Sequence, residues 1–345
     1  MRVLQSENSK KTQVIFHKYD QKILALLCNN IRLPLSKIAQ RLRLSRQSVE
    51  YRLKVMERAH LIEGSRTVIN IRKLGYQSYH YFLSLANESA EQKLLGRAQQ
   101  SEHVNALVNY SGKLNYELSI MAKIPHEAQT NYVELIHDLP ILESASCIIL
   151  ETFKADVLPQ LTKELPPPMK YIRNDPSFSK QFTLPPQTCA PDAHDLKILY
   201  FLSQDALQSL ASLAHRTHLH RDVIAYRIKK LIRSGYILQF RPVINFDALS
   251  YSVQALLIKA KRDPKNDPAF KAVIRQNDRV LWATELFGTW DYLFYLLDHT
   301  QEEIHETLTA LRKQFPDYIQ SYEILFAYKQ HKYAFMTEAM MVFQK

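Results

Sequence analysis

Two segments of the chain carry hydrogen-bonding, aromatic and cationic side chains at helical spacing. At about 100° per residue, Val49, Leu53 and Met56 fall on one side of a helix that begins after Ser45. The opposite side is polar. Donors and an aromatic ring near the start of such a helix can contact base edges, and cations further along can pair with phosphates. The first segment's predicted contact residues are Ser45, Arg46, Gln47, Ser48, Tyr51, Arg52, Lys54 and Arg58.

The same pattern returns later in the chain with two changes of chemistry. Asp222 stands where the first segment has Gln47, and His220 stands where it has Ser45. A carboxylate repels phosphate, yet it accepts a hydrogen bond from a cytosine amine and it also caps helices, so both roles stay open. Because the second segment is also less basic, we predict an asymmetric DNA site with a weaker second half. The predicted contact residues here are Arg221, Asp222, Tyr226, Arg227, Lys229 and Arg233.

Both segments belong to an internal duplication. A shift of 175 places Asp20 on Asp195, and the register holds without a gap until Tyr76 falls on Tyr251. After one inserted residue, Gly112 falls on Gly288. Many shared positions are polar, so common core periodicity does not explain them. The chain therefore consists of two related copies of roughly 155 residues each.

Each copy begins with the signals of a helix-turn-helix. In the first, Pro34 separates one apolar-periodic segment from a second that begins near Ser36, and Ser45 is a good N-cap for the third. Beyond it, two short apolar runs flank Arg66, and two more flank Arg241 in the second copy. This pattern predicts a wing hairpin in each copy. Its arginine either contacts a neighbouring phosphate or is an ordinary exposed turn residue.

The order of these motifs is specific. In order and spacing they resemble the Lrp/AsnC family of bacterial and archaeal regulators, over nearly the whole chain except its tails and connector. The resemblance implies a double-stranded-DNA-binding transcriptional regulator with two winged helix-turn-helix domains. The motifs that carry it are Asp20-x-Lys-Ile-Leu, Ile38-Ala39, Leu44-Ser45, Tyr51-Arg52-Leu53, Ile62 and Leu74-Gly75.

The rest of each copy predicts a β-α-β-β-α-β order. In the first copy the strands are expected around Tyr79, after Val104, from Tyr116 and up to Leu150. That order is ferredoxin-like. The fold class is therefore α+β, with two winged helix-turn-helix domains and two ferredoxin-like βαββαβ domains. Because Tyr292–Leu297 shows little alternation, we expect that strand to be buried on both faces.

In the family, this sheet pairs with another to form a dimer. We therefore expect the two sheets to face each other within one chain, as an intrachain pseudo-dimer; pairing across separate chains and higher homo-oligomers stay open. The resemblance also implies a small effector, often an amino acid, near the turn between the second and third strands. The residues concerned are Gly112, Asn115, Gly288 and Asp291. A plain hairpin turn also explains them, and uncharged Asn115 cannot balance an ammonium group.

Composition, in particular the distribution of prolines, suggests the domain limits. Eight of the fifteen prolines lie in 154–191, which predicts an extended, semi-rigid connector. The predicted divisions are an N-terminal tail (1–18), winged helix-turn-helix 1 (19–76), regulatory module 1 (77–153), the Pro-rich linker (154–191), winged helix-turn-helix 2 (192–251), regulatory module 2 (252–335) and a C-terminal tail (336–345).

Charge and cysteine content narrow the class of protein. The net charge is +11, and residues 20–76 hold 12 basic against 4 acidic side chains, whereas residues 77–153 hold 4 against 9. This alternation indicates dedicated polyanion-binding segments. No apolar run approaches a membrane span, and Cys28, Cys147 and Cys189 show no paired spacing. We expect a cytoplasmic protein without a membrane partner.

Three alternatives compete with this prediction. The same duplicated fold resembles sirohaem decarboxylases, whose matching strand contains histidine and arginine, but Asn105–Tyr110 and Trp282–Phe287 contain neither. A ligand sensor with vestigial DNA binding is the second. The third is a metal sensor built on His215, His218 and His220, which have no acidic or cysteine neighbour suited to complete a site of three or four ligands. We therefore expect no enzyme activity, no cofactor and no metal.

Overall fold

The computed structural model describes residues 17–158 and 190–341. Within these ranges the chain forms two compact units, and each unit is built from both copies. The reader unit contains residues 17–76, 190–245 and 334–341, and the module unit contains residues 77–158 and 246–333.

The first copy folds into three helices and a strand, followed by the expected βαββαβ series. The second helix begins at Leu35, one residue before Ser36, and Pro34 is its N-cap. In chain order the elements are α1 (Lys18–Asn29), α2 (Leu35–Leu42), α3 (Arg46–Arg58), β1 (Ile62–Ile69), β2 (Gln77–Leu85), α4 (Glu88–Gln100), β3 (Val104–Ser111), β4 (Tyr116–Ala122), α5 (Pro125–Ile136) and β5 (Ile141–Ala155).

The second copy repeats this order, so the α+β fold class is confirmed. Its elements are α6 (Ala193–Gln204), α7 (Leu210–Thr217), α8 (Arg221–Arg233), β6 (Ile237–Ile244), β7 (Ser252–Ala260), α9 (Asn266–Gln276), β8 (Val280–Gly288), β9 (Tyr292–Asp298), α10 (Gln301–Gln314) and β10 (Ile319–Tyr333).

In both copies the strand after the third helix forms no hairpin, so the prediction of a wing hairpin is wrong. β1 runs unbroken through Arg66, and β6 runs unbroken through Arg241. The two strands pair antiparallel with each other, and Arg66 stands opposite Arg241. β1 does contain Gly64-Ser65, a dipeptide that suits a two-residue hairpin turn, but both residues lie within the ladder with β6. Pairing with the other copy satisfies the backbone groups that a hairpin would have satisfied.

The module unit is one closed eight-stranded sheet. Its strand order is β10-β3-β4-β2-β5-β8-β9-β7, and the last strand returns to the first. Each copy supplies four neighbouring strands in the ferredoxin-like order, and the copies join along β5–β8 and along β10–β3. The two sheets of one chain therefore meet edge to edge.

Both faces of this sheet are covered. One face packs on helices, which in the first copy bury Tyr81 and Leu118, and in the second bury Leu256 and Phe294. The other face encloses a shared interior with apolar side chains from both copies. Burial of β9 on both faces, expected from its lack of alternation, is confirmed. The interior cluster consists of Phe82, Val108, Tyr110, Leu114, Ala145, Cys147, Ala255, Leu257, Leu286, Leu293 and Leu325.

The predicted connector and C-terminal tail both begin inside folded structure. β5 continues through Ala155, and most of the remaining connector, including Cys189, lies outside the described residues. At the other end, Phe335, Met336 and Met340 are buried in the reader unit. None of the helices described here combines the length and the hydrophobicity that a membrane-spanning segment requires.

Candidate nucleic-acid interface

The first helix-turn-helix is shaped by a left-handed turn and a side-chain cap. α2 ends at Leu42, and its C-cap Arg43 has a φ of 55°, in the left-handed region, which reverses the chain. Ser45 then caps α3, since its Oγ accepts a hydrogen bond from the backbone N–H of Ser48 at 3.0 Å. Val49 and Met56 are fully buried beneath the helix, as the sequence predicted. We call α3 reader 1 and α8 reader 2.

The outer face of reader 1 is free to meet a ligand. Tyr51 is 69% exposed, which is unusual for so large an apolar ring, and Lys54 forms an exposed ion pair with Glu50 at 3.0 Å. The hydrogen bond and charge of Lys54 lower the pKa of Glu50. The exposed residues of this face are Arg46, Gln47, Tyr51, Lys54 and Arg58.

Reader 2 presents a similar face with a different beginning. His220 is its N-cap, and its ring accepts from the backbone N–H of Asp222 at 3.4 Å. The Asp222 side chain is therefore not the cap; it is 92% exposed and lies 3.5 Å from His220. Tyr226 is 68% exposed, matching Tyr51. The exposed residues of this face are Arg221, Asp222, Val223, Tyr226, Lys229 and Arg233.

Two predicted contact residues have a role inside their domains. Arg52 pairs with Asp20 at 2.8 Å, and Arg227 pairs with Asp195 at 2.8 Å and with Asp192 at 2.7 Å. Each pair ties a reader to the first turn of its domain's first helix. Sequence reasoning missed these pairs, although the aspartate and arginine recur at matching positions in both copies. We leave both arginines out of the proposed DNA contacts.

The electrostatic environment of Asp192, at the start of α6, is consistent with a structural role for Arg227. Burial alone would raise the pKa of Asp192. The backbone N–H of Asp195 and the Arg227 guanidinium nevertheless hold that pKa below its ordinary value. The carboxylate is therefore charged and fixed, and it positions reader 2 through Arg227.

The strand arginines expected in a wing turn have partners within the reader unit. Arg66 donates to the backbone carbonyl of Gln204, at the end of α6. The Arg241 guanidinium stacks 4.6 Å above the Phe335 ring. Contact of either arginine with phosphate stays a prediction.

The two readers are held together by backbone and side-chain contacts between the copies. Beside the β1–β6 ladder, the N–H of Ile31 donates to Phe240 O at 3.0 Å, and the N–H of Asn245 donates to Leu61 O at 3.0 Å. Ser65 Oγ bonds the Asp205 carboxylate at 2.5 Å. Both readers therefore belong to one unit in which the two copies are paired.

The residues proposed for effector binding stabilise the turns in which they lie. Asn115 Oδ1 accepts from the Leu85 N–H at 3.3 Å. Asp291 Oδ2 accepts from the Ala260 N–H at 2.9 Å and pairs with Lys259 at 3.3 Å. Gly112 and Gly288 both have positive φ, which glycine adopts without strain. Turn geometry accounts for all four residues, and effector binding there stays a prediction.

A polar network that sequence reasoning missed lies inside the closed sheet. The Glu117 carboxylate is 1% exposed and accepts from His80 at 2.7 Å, from the Tyr110 hydroxyl at 2.5 Å and from the Tyr295 hydroxyl at 2.7 Å. Burial alone would raise the pKa of Glu117, but the hydrogen bonds and the charge of His80 hold it below its ordinary value. Tyr295 comes from the second copy, so the network joins the two modules.

The described residues provide no metal site for the metal-sensor alternative and no His- and Arg-containing strand for the decarboxylase alternative. Among the described residues, no three His, Cys, Asp or Glu side chains are grouped to hold a metal ion, and His215, His218 and His220 are separately exposed. β3 and β8, which would carry the catalytic histidine and arginine in the decarboxylase interpretation, contain neither residue.

Comparisons with known proteins agree with the duplicated architecture. A winged helix-turn-helix DNA-binding family model matches residues 16–63 and again residues 191–237. The siroheme decarboxylase NirDL has a TM-score of 0.60 over 93% of this chain and 94% of its own, but only 12% sequence identity. That likeness shows a shared fold alone.

The relatives found by sequence are regulators. The HTH-type transcriptional regulator FL11 of Pyrococcus furiosus is 31% identical over 118 residues, which are 34% of this chain and 77% of that protein. The proline dehydrogenase transcriptional activator of Rhizobium radiobacter is 33% identical over 104 residues, which are 30% of this chain and 67% of that protein. Since each relative matches about one copy, the chain belongs to the HTH-type transcriptional regulators of the Lrp/AsnC type, as a tandem duplication.

Proposed function

We propose that this regulator binds one DNA duplex through both readers at once, as an intrachain pseudo-dimer acting in the cytoplasm. The observation that carries the proposal is the pairing of β1 with β6, which holds two readers with matching exposed faces in a single unit. In a dimer of helix-turn-helix proteins the two half-sites lie about one helical turn or a multiple apart. Here one polypeptide carries both readers, so we expect a single chain to bind two half-sites with such a spacing.

The proposed contacts follow the exposed faces. Arg46 and Arg221 lie in the first turn of each reader, and Lys54 and Lys229 lie about two turns further along. Donors at the start reach base edges, and the lysines pair with phosphates. Affinity should therefore fall steeply with salt, with a log–log slope of roughly −0.9 for each phosphate contacted.

A cytoplasmic location is supported by the thiols. Cys147 is buried and forms no disulfide with another described residue. A buried thiol outside any disulfide is typical of proteins kept in a reducing compartment.

The test is a footprinting assay on genomic fragments. Wild type is compared with a variant carrying Arg46→Ala, Lys54→Ala, Arg221→Ala and Lys229→Ala. The matched control removes four exposed cations of the module unit: Lys261, Lys265, Arg312 and Lys313. We expect discrete protected sites for wild type and control, and their loss in the reader variant. Equal loss of protection in both variants would show that the reader residues contribute only nonspecific positive charge.

A further inference from the structure

The two readers share four exposed residues at matching positions. At a shift of 175, the pairs Arg46/Arg221, Tyr51/Tyr226, Lys54/Lys229 and Arg58/Arg233 are identical, and every member is exposed. These residues recur through the whole length of the helix. Contacts that they make with DNA are therefore common to both halves.

The readers differ at two adjacent positions of the first turn. Reader 1 has Gln47 and Ser48, whereas reader 2 has Asp222 and Val223. Asp222 is 92% exposed and Val223 is 40% exposed, so a carboxylate and an apolar side chain face outward together. The first turn of a recognition helix is the part that contacts base edges.

These differences select different bases. Glutamine pairs in a bidentate manner with adenine, whereas a carboxylate accepts a hydrogen bond from the amine of cytosine. The methyl groups of valine suit the methyl group of thymine, and serine accepts or donates to several bases. The Asp222 carboxylate is available for this contact because His220, not Asp222, caps the helix.

The readers also cannot exchange places. β1 and β6 pair over seven aligned positions from Ile62 with Ile244 to Ile69 with Ile237, and contacts such as Ser65 with Asp205 fix the two domains against each other. A dimer of identical readers binds a site equally in both orientations. A paired unit with two different readers does not bind a site equally in both orientations.

Building on the proposed DNA-binding function, we propose that the chain binds its operator in a single orientation, with reader 1 on an adenine-containing half-site and reader 2 on a cytosine-containing half-site next to a thymine. The operator then has a direction that the protein detects. The first and second copies are placed at defined ends of the site.

The test uses the full chain on a duplex selected by it from a random-sequence pool. An iron chelate that cleaves nearby DNA is attached to Arg41→Cys, an exposed position on α2. Cys189 is replaced by serine, and Cys28 and Cys147 are buried and protected. Wild-type readers are expected to direct cleavage to one half-site about 10-fold or more over the other, the discrimination that one bidentate base contact provides.

A swap variant carries Gln47→Asp, Ser48→Val, Asp222→Gln and Val223→Ser. Ser48 contributes its backbone N–H to the Ser45 cap, and valine keeps that N–H. Because the same duplex can be bound after a half rotation, this variant should still bind, with cleavage moved to the opposite half-site. A second variant with Asp222→Gln and Val223→Ser alone should cleave both halves equally.

Equal cleavage of both halves by the wild-type readers, or unchanged cleavage in the swap variant, overturns the single orientation and leaves DNA binding intact. If the full chain selects no duplex from the pool, the proposed function fails with it. The two failures are therefore told apart by whether binding occurs.

Discussion

The carboxylate of Glu117 is the group whose loss should most weaken the junction between the two modules. It lies in an interior lined by apolar side chains such as Phe82 and Leu293, and it accepts three side-chain hydrogen bonds. The matching positions in the second copy are apolar, since Leu293 aligns with Glu117 and Ala255 aligns with His80. The network therefore exists once per chain.

The magnitude follows from its partners. Glu117→Gln removes the charge of a buried acceptor that receives three hydrogen bonds, and one hydrogen bond to a charged group is typically worth about 1.5–3 kcal/mol, so we expect a loss of at least that size. Glu117→Gln keeps the side-chain volume, so no cavity adds to this value. Tyr295→Phe removes one donor to a charged acceptor, which is worth about 1.5–3 kcal/mol. The two changes should be strongly non-additive, because they share one hydrogen bond.

The assay is urea unfolding at pH 7, with Glu134→Gln as a matched control on an exposed glutamate. We expect the control to behave as wild type. Additive effects of Glu117→Gln and Tyr295→Phe, or a loss below about 0.5 kcal/mol for Glu117→Gln, would refute the reasoning, since a surface substitution has that size.

The same network fixes a pH dependence. The folded-state pKa of Glu117 lies below its ordinary value of 4.5, so the unfolded chain binds its proton more readily than the folded chain does. Its contribution is present above pH 4.5 and is lost as the pH falls from there through the folded pKa. The difference in unfolding free energy between wild type and Glu117→Gln should therefore shrink in acid.

Three further changes test other parts of the module unit. Burial raises the pKa of Asp298 to about 6, so charging this carboxyl destabilises the fold as the pH rises from 3.8 to 6, and Asp298→Asn should add roughly 2–3 kcal/mol at pH 8 but little at pH 4 in denaturation curves. Gly288→Ala should lose about 2 kcal/mol or more, because its new Cβ overlaps the carbonyl oxygen of Ser146 on β5, whereas Gly96→Ala, in open space within a helix, should gain about 0.5–1 kcal/mol; an equal effect of both would contradict the close packing of β8 on β5. Lys332→Met removes an ammonium group that donates to carbonyls at the carboxyl end of α4, and hydrogen exchange in the last turn of that helix should become faster, with unchanged exchange counting against the cap.

Local signals account for what could be predicted from the sequence. The cap at Ser45 and the buried face of Val49 and Met56 are set by residues within a few positions of each other, so the readers and the βαββαβ order were predictable. The exposed faces of both readers follow from the same periodicity.

Non-local pairing accounts for what was missed. β1 pairs with a strand about 175 positions away, and neither strand carries a signal for its partner, so a hairpin was predicted instead. The alternation of Glu117 with its apolar neighbours is typical of a strand with one face in solvent. The structure places that face inside because the second copy closes over it, which periodicity within one copy does not reveal.

The closure of the sheet bears on how the chain is made. β3, at residues 104–111, receives its edge partner only when β10, at residues 319–333, has been synthesised. Until then the ribosome has released a first copy with unpaired strand edges, which are templates for aggregation. A message truncated shortly before its end would therefore yield a chain that cannot close, rather than a working half-protein. Such a topology, with pairing between distant residues, favours slow folding that finishes after translation.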